Sequence, residues 1–191
     1  MRGKRIVKAP EERRQEILDA AMKLFSEKGY EETSMGDIAR EVGVVQGLCY
    51  RYFDSKQKLF QEAMERYVEE CCAAFLPVIH DRSRTIRERL GRMAAAVAAS
   101  DRQERYSAFY HHPGNQLLHE ELSLRICRYL LPHVTEELRA ACAAGELSLP
   151  YPEVTASYLL HAQIGLVGEG ELPLEARMGE VLRYAEKILE R

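Results

Sequence analysis

The sequence has no apolar run approaching the roughly 20 residues that a bilayer-spanning helix needs. Its charged N-terminus also lacks the apolar core of a signal peptide, so we expect a protein that is not secreted. The cysteines number five, which is odd, and they include no C-x-x-C pair. Reduced thiols in a cytoplasmic protein are the simplest interpretation of that pattern.

Signatures of catalysis are lacking as well. No order of Ser, His and Asp matches a known nucleophile elbow, and no glycine-rich phosphate loop is present. The histidines from residue 111 onward have no partner at helical spacing, and no cysteine–histidine spacing matches a known metal site. The sequence therefore predicts no enzyme, no cofactor and no metal centre, and metal sensing is the weaker alternative.

Strand-like alternation is absent over any useful length, and β-branched residues are sparse. Apolar residues recur instead at the spacing of one helix face through most of the chain. We therefore predict an all-α protein of about nine helices, with a kink or a break at Pro132. The predicted helices cover about 10–28, 34–41, 46–53, 56–75, 83–99, 101–111, 115–144, 152–167 and 174–190.

Charge is distributed unevenly along the chain. Residues 1–14 carry six basic and two acidic side chains, whereas the whole chain has a net charge of −3. A basic N-terminal arm on an otherwise acidic chain indicates a local anionic partner, and a solvated tail is the alternative.

We expect two domains, an N-terminal one over residues 1–55 and a C-terminal one over residues 56–191.

Residues 33–53 have the dimensions of a helix-turn-helix. One short helix ends at Val42, and the next begins within three residues of Gly43. The turn between such helices commonly needs a residue that tolerates positive φ, which a glycine provides. The second helix of this motif places its N-terminal side chains in the major groove of DNA. The alternative is a generic three-helix packing unit.

Residues 12–64 resemble the TetR family of transcriptional repressors. The resemblance is carried by the stretches RQEILDAAMKLFSEKGY, TSMGDIAREVGV and GLCYRYFDSKQKLF, in this order and spacing. It implies a homodimer whose N-terminal three-helix domain binds a near-palindromic double-stranded DNA operator. It also implies a C-terminal helical domain that forms the dimer and binds a small-molecule effector, which releases the repressor from DNA.

The resemblance also implies which residues contact DNA. Thr33 and Lys56 stand where the family meets phosphate, and Gln46 begins the recognition helix. The predicted DNA-binding residues are Thr33, Val45, Gln46, Gly47, Leu48, Tyr50, Arg51 and Lys56.

Several positions depart from the family pattern. The family often has Ser or Thr at Val45, lysine at Gln46, threonine at Leu48 and leucine at Cys49. Val45 cannot cap a helix through its side chain, and neither Val45 nor Leu48 can hydrogen-bond a base edge, although both can contact thymine methyl groups. Gly36 also replaces a side chain that often reaches DNA in relatives. The alternative function is therefore a small-molecule binding protein with a weakened DNA-binding head.

Two further sets of residues are predicted in the C-terminal domain. Aromatic and polar side chains suggest a ligand pocket, with ordinary core as the alternative. That set is Tyr106, Phe109, Tyr110, Cys127, Tyr158 and His161. The last two helices are apolar on more than one side, which favours a dimer interface over packing within one subunit. That set is Leu159, Ile164, Val167, Met178, Val181, Leu182, Ala185 and Ile188.

Overall fold

The structure is a computed structural model that describes residues 8–100, 116–162, 164 and 173–190. Within these ranges it contains α-helices and no strand, which confirms the predicted fold class. The short α5 was not predicted, and the helix predicted over about 101–111 lies outside the described residues. The helices are α1 Pro10–Lys28, α2 Met35–Val42, α3 Gln46–Tyr52, α4 Lys56–Ala73, α5 Leu76–Ile79, α6 Ile86–Ser100, α7 Gln116–Ala143, α8 Pro152–Ala162 and α9 Leu174–Leu189.

The chain forms two compact units, which divide within α4, between residues 66 and 67. The described part of the first unit comprises residues 8–66 and 116, and that of the second comprises 67–100, 117–162, 164 and 173–190. The predicted domain boundary lies instead at the start of α4, between residues 55 and 56. No helix of the described residues is long and apolar enough to cross a membrane.

The first unit is built around the apolar face of α1. Ile17, Ala21 and Phe25 recur at four-residue spacing on this face and are fully buried. The ring of Phe25 lies 5.3 Å from that of Tyr30 and 5.6 Å from that of Phe60, between ring centres. Burial of each such large side chain stabilises the fold by about 1.5–3 kcal/mol, so this face fixes α1 against its neighbours.

Helix α2 begins with a capping box formed by Ser34 and Asp37. The backbone N–H of Asp37 donates a 3.1 Å hydrogen bond to Ser34 Oγ, and the Ser34 N–H donates a 3.0 Å bond to Asp37 Oδ2. Hydrogen bonds from the Ser34 side chain and backbone lower the pKa of Asp37 to about 2. The carboxylate is therefore charged at neutral pH, beside the positive end of the helix dipole.

In the second unit, Pro132 lies inside α7, which continues through it as one helix of 28 residues, so the expectation of a break there is wrong. The ring is exposed, so the proline costs a backbone hydrogen bond without disturbing the core.

The second unit has its own apolar cluster. It consists of Ile86, Leu138, Ala141 and Ala156, with Leu90, Leu131, Val134, Leu147, Leu149 and Leu189 packed against it.

A buried carboxylate joins α7 to the segment between α5 and α6. Glu137 is 2% exposed, and it accepts hydrogen bonds of 2.8 Å from Arg89 Nη1 and 2.8 Å from Arg82 Nη2. His80 Nδ1 lies 2.9 Å from Glu137 Oε1, and His80 Nε2 lies 3.1 Å from His133 Nδ1. Burial acts to raise the pKa of Glu137, but the hydrogen bonds from Arg82, His80 and Arg89 outweigh it and lower the pKa to about 2.

Candidate nucleic-acid interface

The turn between α2 and α3 depends on a left-handed glycine. Gly43 has φ 73° and ψ 35°, the conformation expected from the sequence for this turn. The Val44 N–H donates a 2.8 Å hydrogen bond to the Ala39 carbonyl, which closes the end of α2. Helix α3 starts directly after Val45, whose side chain makes no capping hydrogen bond. Two short helices are thus joined by a three-residue turn.

Helix α3 has one buried and one open face. Cys49 is fully buried and Phe53, just beyond the helix, is 3% exposed, so these side chains anchor the helix to the core. Val45 and Tyr50 are 74% and 46% exposed. The structure therefore brings the predicted contact residues of this region onto one accessible surface. Its exposed members are Val45, Gln46, Gly47, Tyr50 and Arg51, and Leu48 is half-buried.

Thr33 requires a correction. Its side chain is 1% exposed, and its hydroxyl donates a 2.8 Å hydrogen bond to the Gly29 carbonyl, with a 3.3 Å contact to the Leu24 carbonyl. Its backbone N–H donates to the Tyr30 carbonyl at 3.3 Å. A group whose donors are already satisfied inside the fold is unavailable to a phosphate. Thr33 therefore holds the connection after α1 rather than presenting a hydroxyl to DNA.

Lys56 lies at the first position of α4 and is half-buried. Its Nζ donates hydrogen bonds of 2.9 Å to the Tyr30 carbonyl and 3.3 Å to the Glu31 carbonyl. An ammonium group has three donors, so one N–H remains for an anion. The lysine holds the segment between α1 and α2, and its contact with a phosphate stays a prediction.

Gly36 lies beside the first residue of the recognition helix α3. A Cβ atom built on Gly36 would be 3.6 Å from Ser34 Oγ and 3.9 Å from Gln46 Oε1. These are ordinary van der Waals distances, so the position could carry a small side chain. The sequence predicted only that Gly36 removes a contact with DNA. The structure adds that this glycine leaves space next to the Gln46 amide.

Sequence reasoning missed two residues, Arg14 and Glu62, that hold the end of α3. Arg14 on α1 donates a 3.1 Å hydrogen bond from Nη1 to the Tyr52 carbonyl, and its Nε donates a 2.7 Å bond to Glu62 on α4. The two charges stand 48 residues apart in the sequence, so no helical spacing connects them. Only the folded arrangement of α1, α3 and α4 reveals the pair.

Three of the predicted ligand residues, Cys127, Tyr158 and His161, lie in the described part of the chain. Cys127 is buried, and its Sγ donates a 3.2 Å hydrogen bond to the Leu160 carbonyl. Tyr158 is 60% exposed, which is at odds with a place in a closed pocket. His161 is half-buried, with Nδ1 2.8 Å from the Ser157 carbonyl. The remaining members, Tyr106, Phe109 and Tyr110, lie outside the described residues.

The predicted dimer residues divide into two groups. Met178 and Ala185 are 4% and 6% exposed within the single chain, because this face of α9 packs inside its own unit. Their assignment to an interface is corrected on that ground. Val167 lies outside the described residues. The half-buried members are Leu159, Ile164, Val181, Leu182 and Ile188.

The sequence of the first unit matches a known family. The sequence model of the family described as "Bacterial regulatory proteins, tetR family" matches residues 17–63. Over 55 residues the chain is 47% identical to the HTH-type transcriptional regulator AcrR of Shigella flexneri, a match to 29% of this chain and 26% of that protein. Over 60 residues it is 38% identical to the biofilm operon icaADBC HTH-type negative transcriptional regulator IcaR of Staphylococcus aureus, a match to 31% of this chain and 30% of that protein. The matches thus span less than a third of these curated relatives.

Solved structures match over most of the chain. A transcriptional regulator of the TetR/AcrR family from Thermobifida fusca is 25% identical with a TM-score of 0.65, and the match covers 91% of this chain and 96% of that one. The complex of RolR with resorcinol has a TM-score of 0.64 at 16% identity, covers 94% and 92%, and shows the fold alone. The N-terminal helix-turn-helix sequence therefore matches the TetR family, and the helical fold of the chain resembles that of solved TetR-family structures.

Proposed function

We propose that the protein is a transcriptional regulator that binds a double-stranded DNA operator through α3 and acts as a repressor. The observation that carries the proposal is that α3 has one buried face and one exposed face. Cys49 and Phe53 anchor one face, while Gln46, Tyr50 and Arg51 are open to a partner on the other. A helix held in this way can enter the major groove without losing its core contacts.

The open residues supply two kinds of contact. The Gln46 amide has the donor and acceptor geometry that pairs with adenine in the major groove. Arg51 and the remaining N–H of Lys56 suit phosphate or guanine edges. A Cβ atom on Gly47 would have no neighbour within 4 Å, so the backbone there is open to close approach. The methyl groups of Val45 suit a thymine methyl.

We also propose a homodimer that binds a near-palindromic operator in the cytoplasm. Val154 and Tyr158 on α8 are 62% and 60% exposed, and Tyr184 on α9 is 54% exposed. Exposed large apolar side chains on the two helices of the predicted interface favour a partner there. Half-buried Val181 and Leu182 would lose their remaining exposure in such a contact. A two-fold dimer places two heads on two half-sites.

A small-molecule effector is the third element of the proposal. RolR, whose fold this chain shares, is solved with resorcinol bound. An effector releases DNA only if it binds the DNA-incompetent conformation more tightly than the competent one. Small phenols are therefore the first ligands to test, and the tested quantity is the change they cause in DNA affinity.

The test is a gel-shift titration of the full chain with DNA from upstream of its own coding sequence. A shuffled fragment of equal length and composition serves as the competitor. We expect the upstream DNA to bind more tightly by a factor of about 10³ or more, as for specific operators. Arg51→Ala should weaken binding, whereas Lys28→Ala, which removes the same charge outside the predicted contact set, should not. Equal binding of both fragments would favour the small-molecule binding protein with a weakened head.

A further inference from the structure

The guanidinium group of Arg14 contacts the end of the recognition helix. Arg14 Nη1 donates a 3.1 Å hydrogen bond to the Tyr52 carbonyl, at the last residue of α3. The guanidinium carbon lies 4.6 Å from the centre of the Phe53 ring. Arg14 Nε donates a 2.7 Å bond to Glu62 Oε1, and Nη2 donates to Glu62 Oε2. One side chain of α1 thus joins the end of α3 to α4.

Helix α3 depends on such outside contacts. It has seven residues and no side-chain cap at its start, and helices this short are unstable alone. Its last carbonyl groups have no hydrogen-bond donor within the helix. Arg14 supplies a donor to one of these carbonyls, that of Tyr52. The planar guanidinium holds its donors at fixed angles, so the two bonds to Glu62 set the direction of the third.

We propose that Arg14 is a positioning residue for the recognition helix, and that its bond to Glu62 makes the position of α3 depend on α4. Arg14 acts through the backbone of Tyr52 and does not itself contact DNA. Glu62 lies within α4, so the pair fixes the end of α3 against that helix. The proposal rests on the proposed function, because it describes how the DNA-reading surface is held.

Charge provides a sharp test, because the two residues have opposite signs. If each acted on DNA only through its charge, Arg14→Gln would weaken binding and Glu62→Gln would strengthen it. A positioning role predicts that both variants weaken operator binding, each by about tenfold, which is about 1.4 kcal/mol. It also predicts an unchanged salt dependence for Arg14→Gln, since each lost phosphate contact would lower the slope of log K against log salt by about 0.9.

Three further variants sharpen the test. Glu65→Gln removes an exposed charge from the same helix outside the pair, and it should leave binding unchanged or slightly stronger. Arg14→Lys keeps the charge but lacks the forked donors, so it should not rescue binding. The double variant Arg14→Gln/Glu62→Gln should bind no more weakly than either single variant, since the pair acts as one unit. Stronger binding by Glu62→Gln, or a reduced salt slope for Arg14→Gln, would overturn the proposal.

Hydrogen exchange provides a readout that needs no DNA. The Phe53 N–H donates a 3.0 Å hydrogen bond to the Cys49 carbonyl, so its protection reports the end of α3. In Arg14→Gln and Glu62→Gln this amide should exchange at least about tenfold faster, with α2 amides unchanged. Equal acceleration across α1, α2 and α3 would indicate general destabilisation and reject a positioning role. If the unmodified protein binds no operator, the proposed function fails, while this measurement still decides the role of Arg14.

Discussion

Lys56 Nζ donates a 2.9 Å hydrogen bond to the Tyr30 carbonyl and lies 4.3 Å from the centre of the Tyr30 ring. This contact joins the start of α4 to the segment that follows α1, and a second bond of 3.3 Å goes to the Glu31 carbonyl. The lysine is therefore both a structural link in the first unit and a candidate phosphate contact. Its two roles can be separated experimentally.

Lys56→Ala should lower both the stability of the first unit and its affinity for DNA. The loss of hydrogen bonds from a charged donor costs about 1.5–3 kcal/mol. The loss of one phosphate contact should reduce the slope of log K against log salt by about 0.9, equally for all DNA sequences. Thermal unfolding and salt titrations measure the two effects. Lys58→Ala, an exposed lysine two residues away, is the matched control, and an equal effect there would refute the role of Lys56.

Gln46→Ala should change base preference more than overall affinity. If the amide makes a bidentate contact with adenine, discrimination at one base pair should fall by about 1–3 kcal/mol. Binding to a library of operators with single base changes measures this directly. Lys56→Ala should show no such change in preference, because a phosphate contact carries no sequence information. The same specificity profile in both variants would show that Gln46 does not contact a base.

Two glycines near α3 should respond to alanine in opposite ways. Gly36 is helical, and an added Cβ would meet no atom closer than 3.6 Å, so Gly36→Ala should stabilise the fold by up to about 1 kcal/mol. Gly43 has φ 73°, where a Cβ atom is strained, so Gly43→Ala should destabilise by about 1–2 kcal/mol. Chemical denaturation measures both. Stabilisation by Gly43→Ala would show that the turn adopts another conformation.

Glu137→Gln should strongly destabilise the second unit. The substitution leaves the buried Arg89 charge without its partner, and breaking a buried ion pair in this way costs about 3–5 kcal/mol. Glu136→Gln is the matched control, since Glu136 is exposed and pairs with exposed Arg82. It should change the free energy of unfolding very little. Equal effects of the two variants would contradict the importance of burial.

The pH dependence of this unit follows from the same residue. The folded-state pKa of Glu137, about 2, lies below its ordinary value of 4.5. The charged carboxylate therefore stabilises the folded state fully above pH 4.5, and this contribution is lost as the pH falls from 4.5 through about 2. Denaturant unfolding across this interval should show a steeper loss in the unmodified protein than in Glu137→Gln. Parallel curves would contradict the lowered pKa.

Val181→Asp should produce a helical monomer that binds its operator far more weakly. Val181 is half-buried in the single chain, and a charge there would be desolvated in a dimer, which costs several kcal/mol. Met178→Asp, on the buried face of α9, should instead unfold the unit, and Ala176→Asp, which is exposed, should do neither. Sedimentation gives the mass and circular dichroism the helicity. A Val181→Asp protein that remains a dimer at micromolar concentration would place the interface elsewhere.

Local chemistry explains which features the sequence alone predicts. The Ser34 and Asp37 capping box lies within four residues, and the need for positive φ at Gly43 is met by the residue itself. Such features depend on near neighbours in the chain, so spacing and residue type are enough to identify them. The same holds for the all-helical fold class, which follows from apolar periodicity.

Only the tertiary structure shows which side chains that are distant in the sequence contact each other. The Thr33 hydroxyl was predicted to face phosphate, but the fold turns it toward the Gly29 carbonyl. Met178 lies in an apolar stripe that suits either a dimer interface or the chain's own core. In the structure its side chain is buried within the second unit.

Apolar periodicity identifies which face of a helix is buried, but not which element covers it. Charged pairs such as Arg14 with Glu62 form only when chain segments 48 residues apart meet, and their geometry depends on the whole arrangement. The sequence therefore determined the helices, their caps and the family that the N-terminal helix-turn-helix region matches. The tertiary structure decided which side chains hold that region together and which remain exposed.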